Sequence, residues 1–280
     1  MDAHPPDFHF ARVFRGDRHA TALARHQHYL FARLRLKTGM RVLHVGCGSG
    51  AAAIELASFE NVYVFGVDTD MSKITQAVQR ARDKKLASRV KFFHAESLEA
   101  LDNVFPGGSF DAAFAIETLK GASSFYSAYQ SIASVLRYGG RLAIYEWCWT
   151  PSLDPDNHDH RRLASLLELL TFLPPRALED RTSDAALNAL RDAHFREVEC
   201  EDIACPGGGQ RRAGDMGWYA FLEAAIADDG AVWVDDDGGP VVLAGKKNAT
   251  GALTKNAAVV LAQAGRLQIF TPMAMLVARR

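Results

Sequence analysis

The sequence predicts an α/β fold in which a mostly parallel sheet is covered by helices on both faces. Three observations lead to this prediction. Apolar segments of strand length alternate with segments of helical period, a length of 280 residues suits one α/β domain, and Gly139-Gly140 ends a helical segment just before the fifth strand. The crossovers that join such strands are expected to be right-handed.

The predicted elements follow from apolar period and length, taken in sequence order. A helix at 17–36 precedes the first strand. The five strand-like segments of the first half are 41–45, 62–68, 90–95, 110–117 and 141–147. The helical segments between them are 50–58, 71–86 and 123–137.

The second half of the sequence has fewer clear elements. A helix is predicted at 161–173 because leucines recur at i, i+3, i+4 and i+7 from Leu163. An antiparallel pair of strands is predicted at 198–203 and 268–278. The glycine-rich run 206–209 and the acidic run 228–240 are predicted to be loops, since the acidic run lacks the alternating pattern of a calcium loop.

Composition and charge exclude several classes of protein. The 48% of hydrophobic residues is typical of a globular protein, and 32 basic against 33 acidic residues give a net charge of −1, so nucleic acid is not an expected partner. No run of about 18 apolar residues predicts a membrane span, and the start of the sequence does not look like a secretory signal. The four cysteines form no CxxC pair and the histidines have no convincing metal-ligand spacing, so we expect a cytoplasmic protein without a metal site.

The strongest chemical signal is the turn Gly46-Cys47-Gly48-Ser49-Gly50, which lies between the first strand and the next helix. Glycines let the backbone turn tightly and approach a ligand, and a helix N-terminus favours negative charge. Eighteen residues later, Asp68 ends the second strand and can accept the hydroxyl hydrogens of a ribose. Together these features predict a nucleoside cofactor, although the same glycines also satisfy the dinucleotide pattern of an NAD site.

The sequence also resembles the sterol methyltransferases that add a methyl group to a side-chain carbon, which are enzymes of the class I fold that depend on S-adenosyl-L-methionine (SAM). The matching segments are Phe8-His9-Phe10, 24–30, 42–48, Phe110-Asp111, 115–117, 145–147, Trp218-Tyr219, 270–273 and 277–279. The resemblance implies a Rossmann-like methyltransferase fold with a seven-stranded sheet and a helical substrate cap. It also implies three parts: an N-terminal cap segment and helix at 1–40, a SAM-binding core at 41–150, and a substrate cap with the last strands at 151–280.

The resemblance places SAM at the carboxyl ends of the first strands, where open α/β sheets bind their ligands. Asp68 would hold the ribose, while Glu96 and Ser97 would lie on the adenine side. The full set of expected cofactor-binding residues is His44, Gly46, Cys47, Gly48, Gly50, Asp68, Thr69, Glu96, Ser97 and Ile116.

The resemblance also implies a reaction in which an alkene of an apolar sterol, terpenoid or related metabolite attacks the methyl group of SAM. The carbocation that results must be stabilised and deprotonated; aromatic faces stabilise a cation, and carboxylates can do so and accept the proton. Glu117 and Glu146 are expected at the ends of the fourth and fifth strands, facing the substrate. The candidate catalytic residues are Glu117, Glu146, Glu168, His9 and Tyr145.

Departures from the family pattern leave alternatives open. His44 stands where the family has an aspartate that helps to hold the amino group of SAM, and Gly121 and Thr171 replace a histidine and an aspartate on the substrate side. A methylation-coupled or SAM-independent cyclase or isomerase, or a non-catalytic binding protein, therefore remains an alternative. Peripheral contact with a membrane and a homo-oligomeric state also remain open.

Overall fold

The structure is a computed structural model of the protein. It describes residues 9–204, 217–220, 222–223, 232–234, 240–242 and 255–280. The α-helices are α1 (His19–Arg33), α2 (Ala51–Phe59), α3 (Met71–Asp83), α4 (Phe125–Val135), α5 (His158–Leu170), α6 (Ser183–Asp192) and α7 (Lys255–Arg266). The strands are β1 (Arg41–Val45), β2 (Tyr63–Asp68), β3 (Val90–His94), β4 (Phe110–Ile116), β5 (Leu136–Trp149), β6 (Arg196–Asp202), β7 (Val232–Val234), β8 (Pro240–Val242) and β9 (Phe270–Arg279).

Seven of the strands form one sheet in the order β3-β2-β1-β4-β5-β9-β6. The pairs β1–β2, β1–β4, β2–β3 and β4–β5 are parallel. Strand β9 runs antiparallel to β5, because Gly139 bonds to Arg280 at one end and Thr150 bonds to Ile269 at the other. This mostly parallel seven-stranded sheet with its helices confirms the predicted fold class.

The register of the parallel strands brings their carboxyl ends to one edge of the sheet. Val45 at the end of β1 pairs with Val67 of β2 and with Ala115 of β4. Asp68 at the end of β2 pairs with His94 of β3. Since the strand order reverses between β1 and β4, this edge contains the crevice in which an open α/β sheet binds its ligand.

The fifth strand is longer than the sequence predicts. It begins at Leu136, and Gly139-Gly140 lies inside it instead of ending a helix. The pairing of β4 and β5 shifts register in this stretch, and Gly139 has a φ of 77°, so the two glycines permit an irregular excursion within the strand. The prediction that they end a helix was therefore wrong, because the helix before them stops at Val135.

The second half of the protein includes elements that the sequence analysis missed. Helix α6 packs against α4 and buries Ala186, Ala189 and Leu190, and α7 packs against α5. The acidic run 228–240, predicted as a loop, includes β7 and the first residue of β8, which form an antiparallel pair. The other predicted loop, 206–209, lies outside the described residues.

The protein divides into two compact units. The core unit comprises residues 27–146, 183–201 and 274–280, and the second unit comprises residues 1–26, 147–182 and 202–273. The predicted parts 1–40, 41–150 and 151–280 remain a prediction. Within the part of the protein that the structure describes, no helix has the length and apolar character needed to cross a membrane.

Candidate functional site

The glycine turn of the core unit uses backbone conformations that residues with side chains rarely adopt. Gly46, Gly48 and Gly50 have φ angles of 66°, 52° and 86°. These left-handed conformations favour glycine, because it has no Cβ. The turn is also crowded: a Cβ on Gly46 would lie 1.8 Å from the Thr118 Cγ2 atom. Backbone shape thus fixes the identity of these residues.

Hydrogen bonds join the turn to the strands on both sides of β1. The Cys47 N–H donates to the Val67 carbonyl (2.9 Å), and the Gly48 N–H donates to Asp68 Oδ2 (2.8 Å). From the end of β4, the Thr118 hydroxyl donates to the Gly46 carbonyl at 3.2 Å. The turn is therefore held rigidly over the end of β1, where a ligand could pass close to its backbone.

Asp68 lies half-buried at the end of β2, and both of its oxygen atoms face nearby backbone amides. Oδ1 accepts a hydrogen bond from Asp70 N–H at 3.0 Å, and Oδ2 accepts the bond from Gly48. A carboxylate has about four acceptor positions, so these two bonds orient it and leave two positions for hydroxyl groups. The arrangement suits a ribose. Thr69, the next residue, is exposed.

The other expected cofactor residues follow β3 and end β4. Glu96 and Ser97 are exposed, and the Ser97 hydroxyl accepts a hydrogen bond from Glu99 N–H at 3.1 Å. The preceding Ala95 N–H donates to the Asp68 carbonyl (3.0 Å), which ties this segment to β2. Ile116 is buried as the last residue of β4. The structure therefore brings the expected set to the carboxyl ends of four adjacent strands.

His44 belongs to the interior of the sheet. It is only 1% exposed, and its ring stacks on Phe114 of β4 with centroids 4.2 Å apart and planes 15° apart. Phe31 of α1 packs edge-on against the same Phe114 ring. An imidazole in this position is accommodated by aromatic packing, whereas a carboxylate would carry a full charge into the same buried space. Contact between His44 and a cofactor remains a prediction.

Three candidate catalytic residues lie in the core unit. Glu117 follows β4 with a φ of 55°, is 4% exposed, and donates its N–H to the Tyr145 carbonyl at 2.9 Å. Burial raises the pKa of the Tyr145 phenol, with a smaller contribution from Tyr29, so this hydroxyl stays protonated. Glu146 is completely buried.

The expectation that Glu146 ends the fifth strand was wrong. Strand β5 continues three residues further, to Trp149, because an apolar and aromatic stretch extends the pairing. Since side chains alternate along a strand, Tyr145 and Trp147 share one face and Glu146 lies on the other. A catalytic role for Glu146 remains a prediction.

A cluster of buried aromatic rings lies in the second unit. Phe10 packs edge-on against Trp218, with centroids 5.0 Å apart, and lies 5.9 Å from Trp147. Phe270 packs edge-on against both Trp147 (5.4 Å) and Trp149 (5.2 Å). Edge-to-face pairs of this kind are stabilising, and ring faces can also attract a cation. Phe270 belongs to segment 270–273, one of the segments that carry the family resemblance.

His9 and His26 lie in the same unit as the aromatic cluster. His26 on α1 is buried, and its pKa falls from 6.5 to about 3, first because burial disfavours the charged ring and then because of the charges of His9 and Arg25. His26 is therefore neutral throughout the physiological range. His9 itself is half-buried. Its catalytic role remains a prediction.

Glu168 lies near the end of α5, with a side chain that is 16% exposed. Burial raises the pKa of its carboxyl group, while the cations Arg181 and, less strongly, Arg176 act in the opposite direction. Arg181 is completely buried. The sequence analysis missed Arg181, because its local sequence, Glu179-Asp180-Arg181, reads as an exposed charged turn.

A comparison with protein-family models gives two matches. A model described as a methyltransferase domain matches residues 36–193. A second model, described as the C-terminal part of sterol methyltransferases, matches residues 241–280. The first match alone spans more than half of the protein and includes the glycine turn and Asp68.

Characterised proteins with similar sequences are sterol-modifying enzymes. The sterol 24-C-methyltransferase of Saccharomyces cerevisiae is 31% identical, over 98% of this chain and 73% of that protein. The cycloartenol C-24-methyltransferase of Arabidopsis thaliana is 32% identical, over 77% of this chain but only 60% of the plant protein. Among solved structures, the geranyl diphosphate C-methyltransferase of Streptomyces coelicolor A3(2) shares the fold, with a TM-score of 0.68 over 100% of this chain and 93% of that one at 15% identity.

Proposed function

The chain belongs to the sterol methyltransferase family, and we propose that it is a SAM-dependent C-methyltransferase acting on an alkene of an apolar sterol, terpenoid or related metabolite. The observation that carries this proposal is the left-handed glycine turn bonded to Asp68, within the segment matched by the methyltransferase model. The turn lets a ligand approach the backbone closely. Asp68 is oriented by two hydrogen bonds that leave its other acceptor positions open.

The residues of the core unit fit SAM. Gly46, Gly48 and Gly50 offer a backbone surface without side chains, and Asp68 accepts the ribose hydroxyls. The exposed Glu96 is available on the adenine side. When bound, SAM supplies an electrophilic methyl group on a sulfonium centre.

The proposed reaction forms one bond and loses one proton from the substrate. SAM held by the glycine turn and Asp68 would supply the methyl group for a new carbon–carbon bond to the alkene and would leave as S-adenosyl-L-homocysteine. The cation left on the substrate is stabilised by aromatic faces, for which the second unit supplies Phe10, Trp147, Trp218 and Phe270. A carboxylate then accepts a proton from a carbon next to the cation, which restores a double bond. The candidates for this base are Glu117, Glu146 and Glu168, with His9 as a further one.

The substrate partner in this proposal is an apolar small molecule. Buried aromatic and aliphatic surface in the second unit supports it, because such surface binds hydrocarbon by removing it from water. We place the reaction in the cytoplasm, with peripheral contact at a membrane surface as the route by which a poorly soluble substrate is collected.

The direct test uses SAM with a deuterated methyl group. The purified 280-residue protein is incubated with a panel of sterols and terpenoids that carry an isolated alkene, and products are analysed by mass spectrometry. The proposal predicts a product that carries the labelled methyl group on carbon. A saturated analogue of the same substrate is the matched control and should remain unlabelled. Absence of label from every alkene, with folded protein that binds SAM, would contradict the proposal.

A second candidate function is motivated by His44, which stands in place of an acid. An enzyme that no longer uses SAM would have to form the substrate cation by protonating the alkene from a carboxylic acid, and loss of a proton from that cation would release a cyclised or isomerised product. The same assay separates the two candidates, because such a product has the mass of its substrate and appears without SAM.

A further inference from the structure

Glu168 and Arg181 form an unusual ion pair inside the second unit. Arg181 Nε lies 4.0 Å from Glu168 Oε1, beyond hydrogen-bond length, and the arginine side chain is 0% exposed. The guanidinium is held in place by the backbone, because its Nη2 atom donates to the Pro174 carbonyl at 3.0 Å. Glu168 Oε1 is buried and accepts no hydrogen bond from the residues that the structure describes.

This geometry separates two effects that usually occur together. A cation at hydrogen-bond distance stabilises a carboxylate but also occupies the oxygen that would accept a proton. At 4.0 Å the Coulomb attraction persists, whereas the oxygen keeps its acceptor position. A carboxylate in this geometry is attracted by the cation and still has an oxygen that can accept a proton.

We propose that Arg181 is a positioning residue that keeps Glu168 ionised, so that Glu168 can stabilise the substrate cation and accept its proton. This inference rests on the proposed function. It extends that function by assigning the role of base to Glu168 and the control of the Glu168 charge to Arg181. Loss of Arg181 leaves a buried carboxylate with less compensation, so Glu168 takes up a proton at higher pH.

Among the described residues, Arg176 is a second cation that acts on the Glu168 carboxyl group. Arg176 precedes the turn that carries Arg181 and acts on the carboxyl group in the same direction, with less effect. Helix α7 packs against α5 and carries Arg266, which is paired with Glu223. The charged residues of α5 itself lie toward its start, where Arg161 and Arg162 are exposed.

The test is the pH dependence of kcat for methyl transfer in the wild type and in Arg181→Met, Arg181→Lys and Glu168→Gln. Arg162→Met is the matched control, since it removes an exposed cation from the helix that carries Glu168. We expect Arg181→Met to move the acid limb of the profile upward by about one to two pH units, with activity recovering at high pH. Arg181→Lys should move the limb less, Arg162→Met should leave it unchanged, and Glu168→Gln should remove activity at every pH.

Two results would overturn the inference while leaving the proposed function intact. One is an acid limb of the pH profile that does not move in Arg181→Met, or that moves no further there than in Arg162→Met. The other is a Glu168→Gln enzyme with the wild-type rate and profile, which would show that the base is another group. If Arg181→Met fails to fold, Arg181→Gln, which also removes the charge, provides the same comparison, and an unmoved limb there counts against the inference.

A second readout does not depend on turnover. The pKa of Glu168 is measured by carbon-13 NMR, with Glu168→Gln used to assign the carboxyl signal. The inference predicts a higher pKa in Arg181→Met, which lacks the cation, than in the wild type, and equal values in these two proteins would refute it. If the wild type transfers no methyl group at all, the proposed function fails, and the NMR comparison still decides whether Arg181 controls the ionisation of Glu168.

Discussion

The glycine turn of the core unit differs in construction from the aromatic cluster and the Glu168–Arg181 pair of the second unit. The turn occupies five consecutive residues, and its backbone is held by hydrogen bonds to Val67, Asp68 and Thr118. The second unit assembles its rings and charges from segments as distant in sequence as Phe10 and Phe270. A backbone site depends on local conformation, whereas a site built of side chains depends on the path of the whole polypeptide. We therefore expect substitutions to have different effects on binding and activity in the two regions.

The largest expected effect is at the turn. Gly46→Val places a side chain at a φ of 66° and directly against Thr118. Strain and overlap together should lower the free energy of unfolding by about 3–5 kcal/mol and abolish SAM binding. Urea unfolding followed by circular dichroism measures the first effect. Gly121→Ala is the control, because a Cβ there meets no atom within 4 Å, and an equal loss in both variants would refute the argument.

The next effect concerns the carboxylate beside the turn. Asp68→Asn removes the charge that holds the turn and that we propose accepts the ribose hydroxyls, so we expect SAM affinity to fall about tenfold to a hundredfold. Equilibrium dialysis with radiolabelled SAM measures the change. The exposed Asp102 provides the control substitution, Asp102→Asn, with unchanged affinity. Full affinity in Asp68→Asn would remove Asp68 from the site.

A smaller effect is expected in the aromatic cluster. Phe270→Leu keeps an apolar side chain but removes the ring that packs against Trp147 and Trp149. We expect kcat to fall about tenfold with little change in KM, because the ring stabilises positive charge that develops on the substrate only as the methyl group is transferred. Phe172→Leu, at a residue that is 87% exposed, should change neither constant. A Phe270→Leu variant that raises KM alone would indicate substrate binding without cation stabilisation.

The smallest expected effect is on the pH dependence of stability. The pKa of His26 is about 3 in the folded state, against an ordinary value of 6.5. As the pH falls below 6.5, His26 therefore binds a proton in the unfolded state but not in the folded state. Stability is therefore lost on acidification, by about 1 kcal/mol between pH 6.5 and 5.5. Thermal unfolding at several pH values should show a shallower slope for His26→Leu than for the wild type. Parallel slopes would contradict the assignment.

The sequence predicts the core unit better than the second unit. Strand β1 is predicted to the residue, and the ends of β2 and α2 to within one residue, because apolar period and glycine punctuation are local signals. Glu146 was misplaced at a strand end, since the aromatic extension of β5 depends on pairing with distant strands. Arg181 could not be chosen at all, because only tertiary packing buries it beside Glu168. The second unit is thus the harder half to predict from the sequence.

The central claim, that the glycine turn and Asp68 hold SAM, is tested most directly by calorimetric titration of SAM into the full-length wild type and into His44→Asp. Saturable binding of one SAM per wild-type protein molecule is the predicted result, and His44→Asp tests whether an acid at this buried position changes the affinity. Absence of binding by folded wild-type protein, with binding restored in His44→Asp, would contradict the claim for the natural sequence. It would identify a methyltransferase fold that does not bind SAM.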